Sequence, residues 1–237
     1  MIKILSQSIY YQFLIFLRIK QAVFFTVAFP IFLFVIFGSI WGAQHDGYVS
    51  FLLSGIIGMT IASDGLFAIG PVIKEYYSNG LIKYLRKLPF NILLHFIGLI
   101  ISRIISLIFI VLLLCVAAYL MFGYIVTSLE ILNFIIGVFV GLFVFSFLGL
   151  VVTFSGIKQG ADKGIINLIY FVILFTSNAF YPVGEFNKLI GYIGNILPLN
   201  QILSILRGDG VNYLLGIWTL IPMLLFAFLF KKVKFKR

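Results

Sequence analysis

KEYYSNGLIKYLRKLP, residues 74–89, is the stretch around which the chain is organised. It carries four basic side chains, Lys74, Lys83, Arg86 and Lys87, in a chain that is 62% hydrophobic. Apolar runs long enough to cross a membrane lie on both sides of it. We therefore interpret this stretch as a connection outside the membrane that joins two groups of spanning segments.

The composition is that of a membrane protein rather than a soluble one. Charged residues make up 10% of the 237-residue chain, whereas soluble proteins have about 25%. Several apolar runs exceed the roughly 18 to 20 residues that cross a bilayer as a helix, and they lack the alternation of a membrane barrel. We predict an all-α polytopic membrane protein in which residues 1–237 form a single transmembrane domain.

Six spans are predicted from the apolar runs and from the turn residues between them. Pro71 is expected to end the second span, so that residues 71–91 form a cytoplasmic segment. Gly and Pro residues interrupt the region 182–211, which is typical of short re-entrant helices at the outer side. The spans are expected at about residues 22–41, 49–70, 92–122, 131–154, 165–181 and 213–230.

The basic residues are distributed unequally between the two sides of this arrangement. Of the 17 Lys and Arg residues, only Lys188 and Arg207 fall on the outer side, and Arg103 lies inside a span. Because cytoplasmic loops carry the excess of basic residues, both termini and residues 71–91 are predicted to be cytoplasmic. This orientation also accounts for the net charge of +10, so we expect no nucleic-acid partner.

Residues 1–21 precede the first span and have a helical periodicity. Their apolar residues recur at steps of three or four among polar ones, which indicates an amphipathic helix on the membrane surface. The alternative is that this segment is only the cytoplasmic start of the first span. The apolar positions are Ile2, Leu5, Ile9, Phe13 and Phe16.

The sequence lacks the groups that catalysis or metal binding would need. It has no Gly-x4-Gly-Lys-Ser/Thr phosphate loop, and its two histidines and single cysteine, Cys115, form no metal-ligand pattern. We therefore expect no enzyme activity and no cofactor in this chain.

Two charged residues and one stripe of glycines lie within predicted spans. Asp64 and Arg103 each cost about 2.5 to 3.5 kcal/mol at the bilayer centre. They are expected either to pair in the inner leaflet or to reach separately toward water or lipid phosphate. The stripe, which allows close helix packing, is expected either to pack inside the subunit or to face a second copy. Its members are Gly137, Gly141 and Gly149.

Three motifs follow one another along nearly the whole chain. The first is the basic amphipathic start with Arg18-x-Lys20, and the second is Glu75-x4-Gly80-x4-Leu85-Arg-Lys-Leu-Pro89 between spans two and three. The third combines Tyr181-Pro182, Leu197-Pro-Leu199 and Leu206-Arg-Gly208 before the last span. With six spans, this order resembles the membrane subunit of type-2 ATP-binding-cassette (ABC) exporters, the family of drug, antibiotic and polysaccharide export.

The resemblance implies that two membrane subunits work with two copies of a separate ATPase, which binds ATP and Mg²⁺. The second membrane subunit would be an identical or a different chain, and membrane lipid would surround both. Residues 71–91 would dock on the ATPase, residues 1–20 would brace it, and 182–210 would lie near the outer exit. The docking residues implied are Glu75, Tyr76, Gly80, Lys83 and Arg86.

The expected function is that of an exporter permease in the plasma membrane of a bacterium. Its phenylalanine-rich spans suit an amphipathic or hydrophobic substrate such as a drug, an antibiotic or an antimicrobial peptide. Export of a lipid-linked polysaccharide by the same mechanism is an alternative. A secondary transporter would need paired membrane acids or broken helices in both halves, whereas only Asp64 and one broken region are present. An immunity protein would need no ATPase.

Overall fold

The structure is a computed structural model that describes residues 2–42, 45, 47–85, 87, 92–157 and 160–232. Every regular element in the described part of the chain is helical, which confirms the predicted all-α class. The helices are α1 (Ile2–Arg18), α2 (Lys20–Val23), α3 (Phe29–Trp41), α4 (Tyr48–Ala68), α5 (Gly70–Ser78), α6 (Leu81–Leu85), α7 (Ile92–Phe122), α8 (Ser128–Phe154), α9 (Ala161–Thr176), α10 (Val183–Phe186), α11 (Lys188–Ile196), α12 (Pro198–Arg207) and α13 (Tyr213–Lys232).

Helices α4 and α8 pack against each other at the centre of the molecule. Most of α4 is buried, and its glycines allow its backbone to lie directly on α8. A β-carbon added to Gly65 of α4 would lie 2.5 Å from Phe145 Cβ, and one added to Gly149 of α8 would lie 2.6 Å from the carbonyl oxygen of Leu66. The contact between these two helices therefore leaves no room for a larger side chain.

The N-terminal helix α1 runs alongside the first part of α7. Its contacts advance together along both helices, from Ser8 beside His95 to Phe16 beside Arg103. The predicted amphipathic helix over residues 1–21 thus corresponds to a real helix, α1, which packs on another helix of the subunit. Its position on the membrane surface stays a prediction.

A π-helical segment, Phe24–Ala28, connects α2 to α3. Within it the helix is wider, and the N–H of Phe29 bonds the carbonyl of Phe24, five residues earlier. Pro30, at the start of α3, has no N–H to donate, so the wider turn falls where regular α-helical bonding is already interrupted. From α2 to α3 the chain is continuous, and Phe34 packs on Phe122 at the far end of α7.

The predicted second span, 49–70, corresponds closely to α4, but Pro71 does not end the helical course of the chain. The chain bends at Ile69 and continues as α5, in which Pro71 occupies one of the first two positions. Proline is compatible with a first helical turn because the N–H it lacks would have no partner there. Residues from Tyr48 to Ser78 therefore form one nearly continuous helical rod.

Within the described ranges, five helical segments are long and apolar enough to cross a membrane. The pair α11–α12, bent by 82°, would bring the number to six if it were counted as one span. The predicted fifth span, 165–181, corresponds to α9 and the bend that follows it at 177–181. With 16 residues, α9 is about 24 Å long, which is shorter than a bilayer core of about 30 Å. The broken helices predicted over 182–211 are α10, α11 and α12.

Side-chain contacts define two ends of the bundle. At one end, which we call the basic end, α1, α5, residues 155–157 and the C-terminal part of α13 come together. At the other, the opposite end, the starts of α4 and α8 lie near α10 to α12. The segments predicted to be cytoplasmic are thus gathered at the basic end.

Candidate functional site

The candidate site is the helix–turn–helix formed by α5 and α6, which we call the coupling segment. A turn at Asn79–Gly80 joins the two helices, and Gly80 has a φ of +72°, a conformation that favours glycine. The N–H of Gly80 bonds the carbonyl of Tyr77, and its own carbonyl accepts from the N–H of Lys83 as α6 begins. A glycine at position 80 is thus explained by the turn, which requires a positive φ, and docking of Gly80 on an ATPase stays a prediction.

The coupling segment has an exposed side and a bound side. Glu75 and Lys83 are exposed, and Tyr84 is 63% exposed, so all three are available to a partner. Tyr76, predicted to dock on the same partner, is instead half-buried and faces the bundle. Arg86, the remaining predicted docking residue, lies outside the described residues.

A polar cluster connects the bound side of α5 to α1 and α7. The Gln12 amide nitrogen donates to the Tyr76 hydroxyl at 3.2 Å and lies 3.1 Å from His95 Nε2. At the other ring nitrogen of His95, Ser8 Oγ lies 3.4 Å from Nδ1. Gln12 is buried, so its hydrogen bonds hold three helices together at a position that water scarcely reaches. The amphipathic pattern of α1 did not predict that a glutamine would be its inward-facing contact.

An ion pair connects α5 to the start of α9. Lys74 Nζ donates to Asp162 Oδ2 at 2.9 Å and to the carbonyl of Ile157 at 3.2 Å. The other carboxylate oxygen of Asp162 accepts from the N–H groups of Gly160 and Lys163. Burial raises the pKa of Asp162, but these hydrogen bonds and the Lys74 charge outweigh it and hold that pKa below its ordinary value. The carboxylate is therefore charged at neutral pH.

Aromatic contacts connect the coupling segment to the last helix. The Tyr77 ring packs edge-to-face on Phe154 at the end of α8 and on Phe230 of α13, with centroids 6.2 and 5.9 Å apart. Phe226 lies between these helices and contacts both phenylalanines. Together with the polar contacts, these rings attach α5 to α1, α7, α8, α9 and α13.

Within the bundle, the structure brings Asp64 and Arg103 together. Arg103 Nη1 lies 3.6 Å from Asp64 Oδ1, and the Asp64 side chain is only 3% exposed. The Arg103 guanidinium also lies over the Phe16 ring, 5.1 Å from its centroid, so that α1, α4 and α7 meet at this point. Asp64 Oδ2 and Arg103 Nε have no hydrogen-bond partner among the described residues.

The glycine stripe of α8 faces the inside of the subunit. A β-carbon on Gly137 would collide with Leu206 of α12, and one on Gly141 would lie 2.6 Å from Ile61 Cγ2 of α4. On Gly149 it would lie 2.6 Å from the carbonyl oxygen of Leu66. All three glycines are buried, so the face they form packs on α4 and α12 rather than on a second copy.

At the opposite end, Arg207, which the sequence placed in the Leu206-Arg-Gly208 motif without assigning it a contact, joins three parts of the chain. Its side chain donates to Ser54 Oγ at 2.9 Å, to the Asn178 carbonyl at 2.7 Å and to the Phe51 carbonyl at 3.3 Å. The guanidinium also stacks 3.9 Å above the Phe51 ring. The available signal was a single arginine on a side almost without basic residues, but the charge count alone gave it no role.

The described residues contain no group of three or more His, Cys, Asp or Glu side chains placed to hold a metal ion. A family model described as ABC-2 type transporter matches residues 5–209, from α1 to just after α12. The chain belongs to the ABC-2 type transporter family. No match was found among curated proteins.

Membership of the ABC-2 family identifies the chain as a multi-pass membrane protein and a permease component of an ABC transporter. The resemblance drawn from the motifs is therefore confirmed. The membrane domain of this family is a permease and not itself catalytic, and the family in general implies an ATPase partner and pairing of membrane subunits. In this ABC-2 chain the coupling segment lies well inside the matched range.

Proposed function

We propose that this ABC-2 subunit is the permease of an exporter powered by a separate ATPase that docks on the coupling segment. The observation that carries the proposal is the two-sided character of that segment. Glu75, Lys83 and Tyr84 are exposed on one side, while Lys74, Tyr76 and Tyr77 bind the bundle on the other. A protein bound to the exposed side is thereby attached, through α5, to five other helices.

In the mechanism we propose, two ATPase copies bind ATP and Mg²⁺ and close on each other. Each closing ATPase displaces the coupling segment of one membrane subunit, and the second membrane subunit is an identical or a different chain. The bound side of α5 then carries that displacement into the bundle, because its partners are side chains of separate helices. This chain contributes docking, transmission and the path, and holds no cofactor of its own.

The proposed substrate is amphipathic or hydrophobic, such as a drug, an antibiotic or an antimicrobial peptide, and it leaves the cell across a bacterial plasma membrane. The support is the apolar character of the spans, since the described residues include many exposed Phe, Leu and Ile side chains. Reconstitution with the ATPase, followed by a comparison of amphipathic peptides, drugs and a lipid-linked glycan as stimulants of ATP hydrolysis, tests this choice. Stimulation by the glycan alone would favour the polysaccharide alternative.

The docking itself is tested by purifying the tagged chain in mild detergent and identifying a co-purifying ATPase by mass spectrometry. Reversing the charge of exposed docking residues, with Glu75→Lys and Lys83→Glu, should weaken that complex and the ATP hydrolysis that depends on it. Lys188→Glu, an exposed lysine at the opposite end, is the matched control and should leave both unchanged. Equal ATPase recovery and equal hydrolysis in all three variants would contradict docking at the coupling segment.

A further inference from the structure

Helix α9 is attached at one end to the coupling segment and at the other to the helices of the opposite end. Its first turn is bound to the coupling segment, and the bend after its last turn is bound to the helices at the opposite end. We infer that α9 is the strut that transmits displacement of the coupling segment to α10 and α12, with Lys74 and Asp162 as the positioning residues that attach it. This inference rests on the proposed function, because it needs an ATPase that moves the coupling segment.

The attachment at the basic end is a charged contact between two separate helices. The Lys74 side chain is 21% exposed and that of Asp162 is 5% exposed, so the pair is partly exposed and salt screens it less than a pair on the open surface. Lys74 immediately precedes the exposed docking residue Glu75 in α5. A movement imposed on Glu75 therefore reaches Lys74 through one peptide unit, and α9 through one ion pair.

The attachment at the opposite end is concentrated in Asn178, two residues beyond the end of α9. Its N–H donates to Asn200 Oδ1 of α12 at 2.8 Å, and its carbonyl accepts from Arg207 at 2.7 Å. Its side-chain oxygen accepts from the N–H of Val183, the first residue of α10, at 3.1 Å. One residue thus binds both of the helices that flank α11.

The packing of α9 differs from that of α4, the other long helix that adjoins the coupling segment. Helix α4 also adjoins the coupling segment, but it is mostly buried, and its backbone is in contact with α8 at several glycines. A shift of α4 would therefore move the centre of the subunit with it. In α9 only Asp162, Ile166, Ile173 and Leu174 are buried, and the rest of the helix is exposed or partly exposed. Helix α9 is thus less embedded in the core than α4, although Ile166 is buried and the Tyr170 ring packs on Phe67 of α4.

The chemistry of the first attachment suits this role. Lys74 and Asp162 meet through side chains, and a charge-assisted hydrogen bond between a flexible lysine and a fixed carboxylate tolerates small changes of angle. The carboxylate itself is fixed, because its second oxygen caps the first turn of α9 through the N–H groups of Gly160 and Lys163. Force applied through Lys74 therefore acts on the helix and not merely on a loose side chain.

The test places a reporter at the opposite end and perturbs the basic end. Tyr192 of α11 is 70% exposed, so Tyr192→Cys, made in a Cys115→Ala background, provides a single thiol for a polar maleimide. The complex of the chain with its ATPase, in lipid nanodiscs, is labelled without nucleotide and with Mg-ATP plus vanadate. The inference predicts that nucleotide changes the labelling rate when Lys74 and Asp162 are intact.

Two conservative variants break the attachment without changing the docking surface. Lys74→Met keeps the aliphatic stem, and Asp162→Asn keeps an oxygen to cap α9, but each removes a charge. Each should reduce the nucleotide effect on labelling by about 5-fold or more, the lower range of measured allosteric couplings. The charge swap Lys74→Asp with Asp162→Lys should restore part of the effect. Lys163→Met, which removes a neighbouring exposed lysine, is the control.

The outcomes separate this inference from the proposed function. An intact complex in which Lys74→Met and Asp162→Asn respond to nucleotide as strongly as the parent would overturn the strut while leaving the docking proposal in place. A parent complex that binds its ATPase but shows no nucleotide effect at position 192 would also overturn it. Failure of the parent chain to bind any ATPase would contradict the proposed function itself. Size-exclusion profiles of every variant show that the compared complexes are folded.

Discussion

The two ends of the bundle are held together by different chemistry. Toward the basic end, Lys74 pairs with Asp162 and Arg103 with Asp64, so that each contact joins two charged side chains from separate helices. At the opposite end, Arg207 binds backbone carbonyls and a hydroxyl. A contact between two side chains lets the helices that carry them change their angle while the contact is kept, whereas a contact to backbone carbonyls also fixes the backbone. The basic end can thus adjust in angle while it stays attached, and the opposite end moves as a unit.

Exchanging the two partners of a contact distinguishes the two ends experimentally. Where both partners are charged side chains, exchanging them should preserve the contact. Where one arginine binds carbonyls, no exchange exists, since the carbonyl cannot be replaced.

The largest effect is expected at Asp64 and Arg103. Asp64→Leu or Arg103→Leu leaves the remaining charge buried alone, which costs about 3 to 5 kcal/mol. The yield of folded chain in detergent should therefore fall sharply for each single variant. The exchanged variant, Asp64→Arg with Arg103→Asp, should recover much of that loss. If the exchanged chain is no better folded than either single variant, the two residues do not act as a pair.

A somewhat smaller effect is expected at Arg207. Arg207→Leu removes three hydrogen bonds and leaves the Asn178 carbonyl without this donor, at a cost of about 2 to 3 kcal/mol. The thermal midpoint in detergent should drop, and Arg207→Lys should recover only part of it because lysine has no planar fork of donors. Lys188→Leu, at an exposed lysine of the same end, should leave the midpoint unchanged. A full recovery by lysine would show that charge alone is sufficient there.

The close backbone contact between α4 and α8 gives the next prediction. In Gly149→Ala the new methyl group would lie 2.6 Å from the Leu66 carbonyl oxygen, so we expect a loss of about 1 to 3 kcal/mol, measured as a lower thermal midpoint. Gly216→Ala in α13 is the matched control, because nothing lies within 4 Å of its added carbon. It should be neutral or slightly stabilising, since alanine favours a helix. Equal losses at both glycines would contradict tight packing as the cause.

The smallest effect is expected for the pH dependence of the Lys74–Asp162 contact. Burial raises the pKa of Asp162, but the hydrogen bonds that it accepts, first of all from Lys74, lower it further than burial raises it. Its contribution to stability, about 1 kcal/mol for a partly exposed pair, is present above the ordinary Asp pKa of about 4 and is lost as the pH falls through the lower folded value.

Asp162→Asn cannot titrate, so its thermal midpoint should lie below that of the parent chain at pH 7 and approach it in acid. The measurement is a pair of melting curves at each pH, in the same detergent. A gap between the two chains that stays constant down to about pH 3 would contradict the ion pair as its source.

The sequence predicted the helical class and most of the spans because both depend on local composition. Apolar runs identify membrane helices without knowledge of their neighbours, and the ranges 92–122 and 213–230 agree closely with α7 and α13. The polar stretch at 74–89 was likewise recognisable from its composition, and the structure places much of it in α5 and α6. For Asp64 and Arg103, similar depth along their helices left pairing and separate exposure to water or lipid as equal alternatives, and the structure places the two side chains 3.6 Å apart.

Contacts between distant parts of the chain could not be predicted in this way. Lys74 and Asp162 are 88 positions apart, and nothing in either local pattern shows that α5 lies beside the start of α9. Tyr76 illustrates the reverse case. The motif placed it among docking residues, but the direction in which a helical side chain points depends on packing. Here the Tyr76 hydroxyl accepts a hydrogen bond from Gln12, and its ring packs on the His95 ring. Pro71 was expected to end a helix because proline breaks a helix when it lies in the interior. The bend at Ile69 instead places Pro71 in the first turn of α5, where proline is tolerated.

The π-helical segment at Phe24–Ala28 amounts to one residue more than a regular helix would need over the same rise. Deleting a single residue there would let the chain close into ordinary α-helix while the residues on either side keep nearly the same direction, because the wider turn already absorbs that residue. Ser8, Gln12 and Phe16 would then still face His95 and Arg103. The same deletion inside the regular part of α3 would instead rotate everything on its N-terminal side by about 100°, so the wide turn is the place where this part of the chain can change length without changing which helix faces meet.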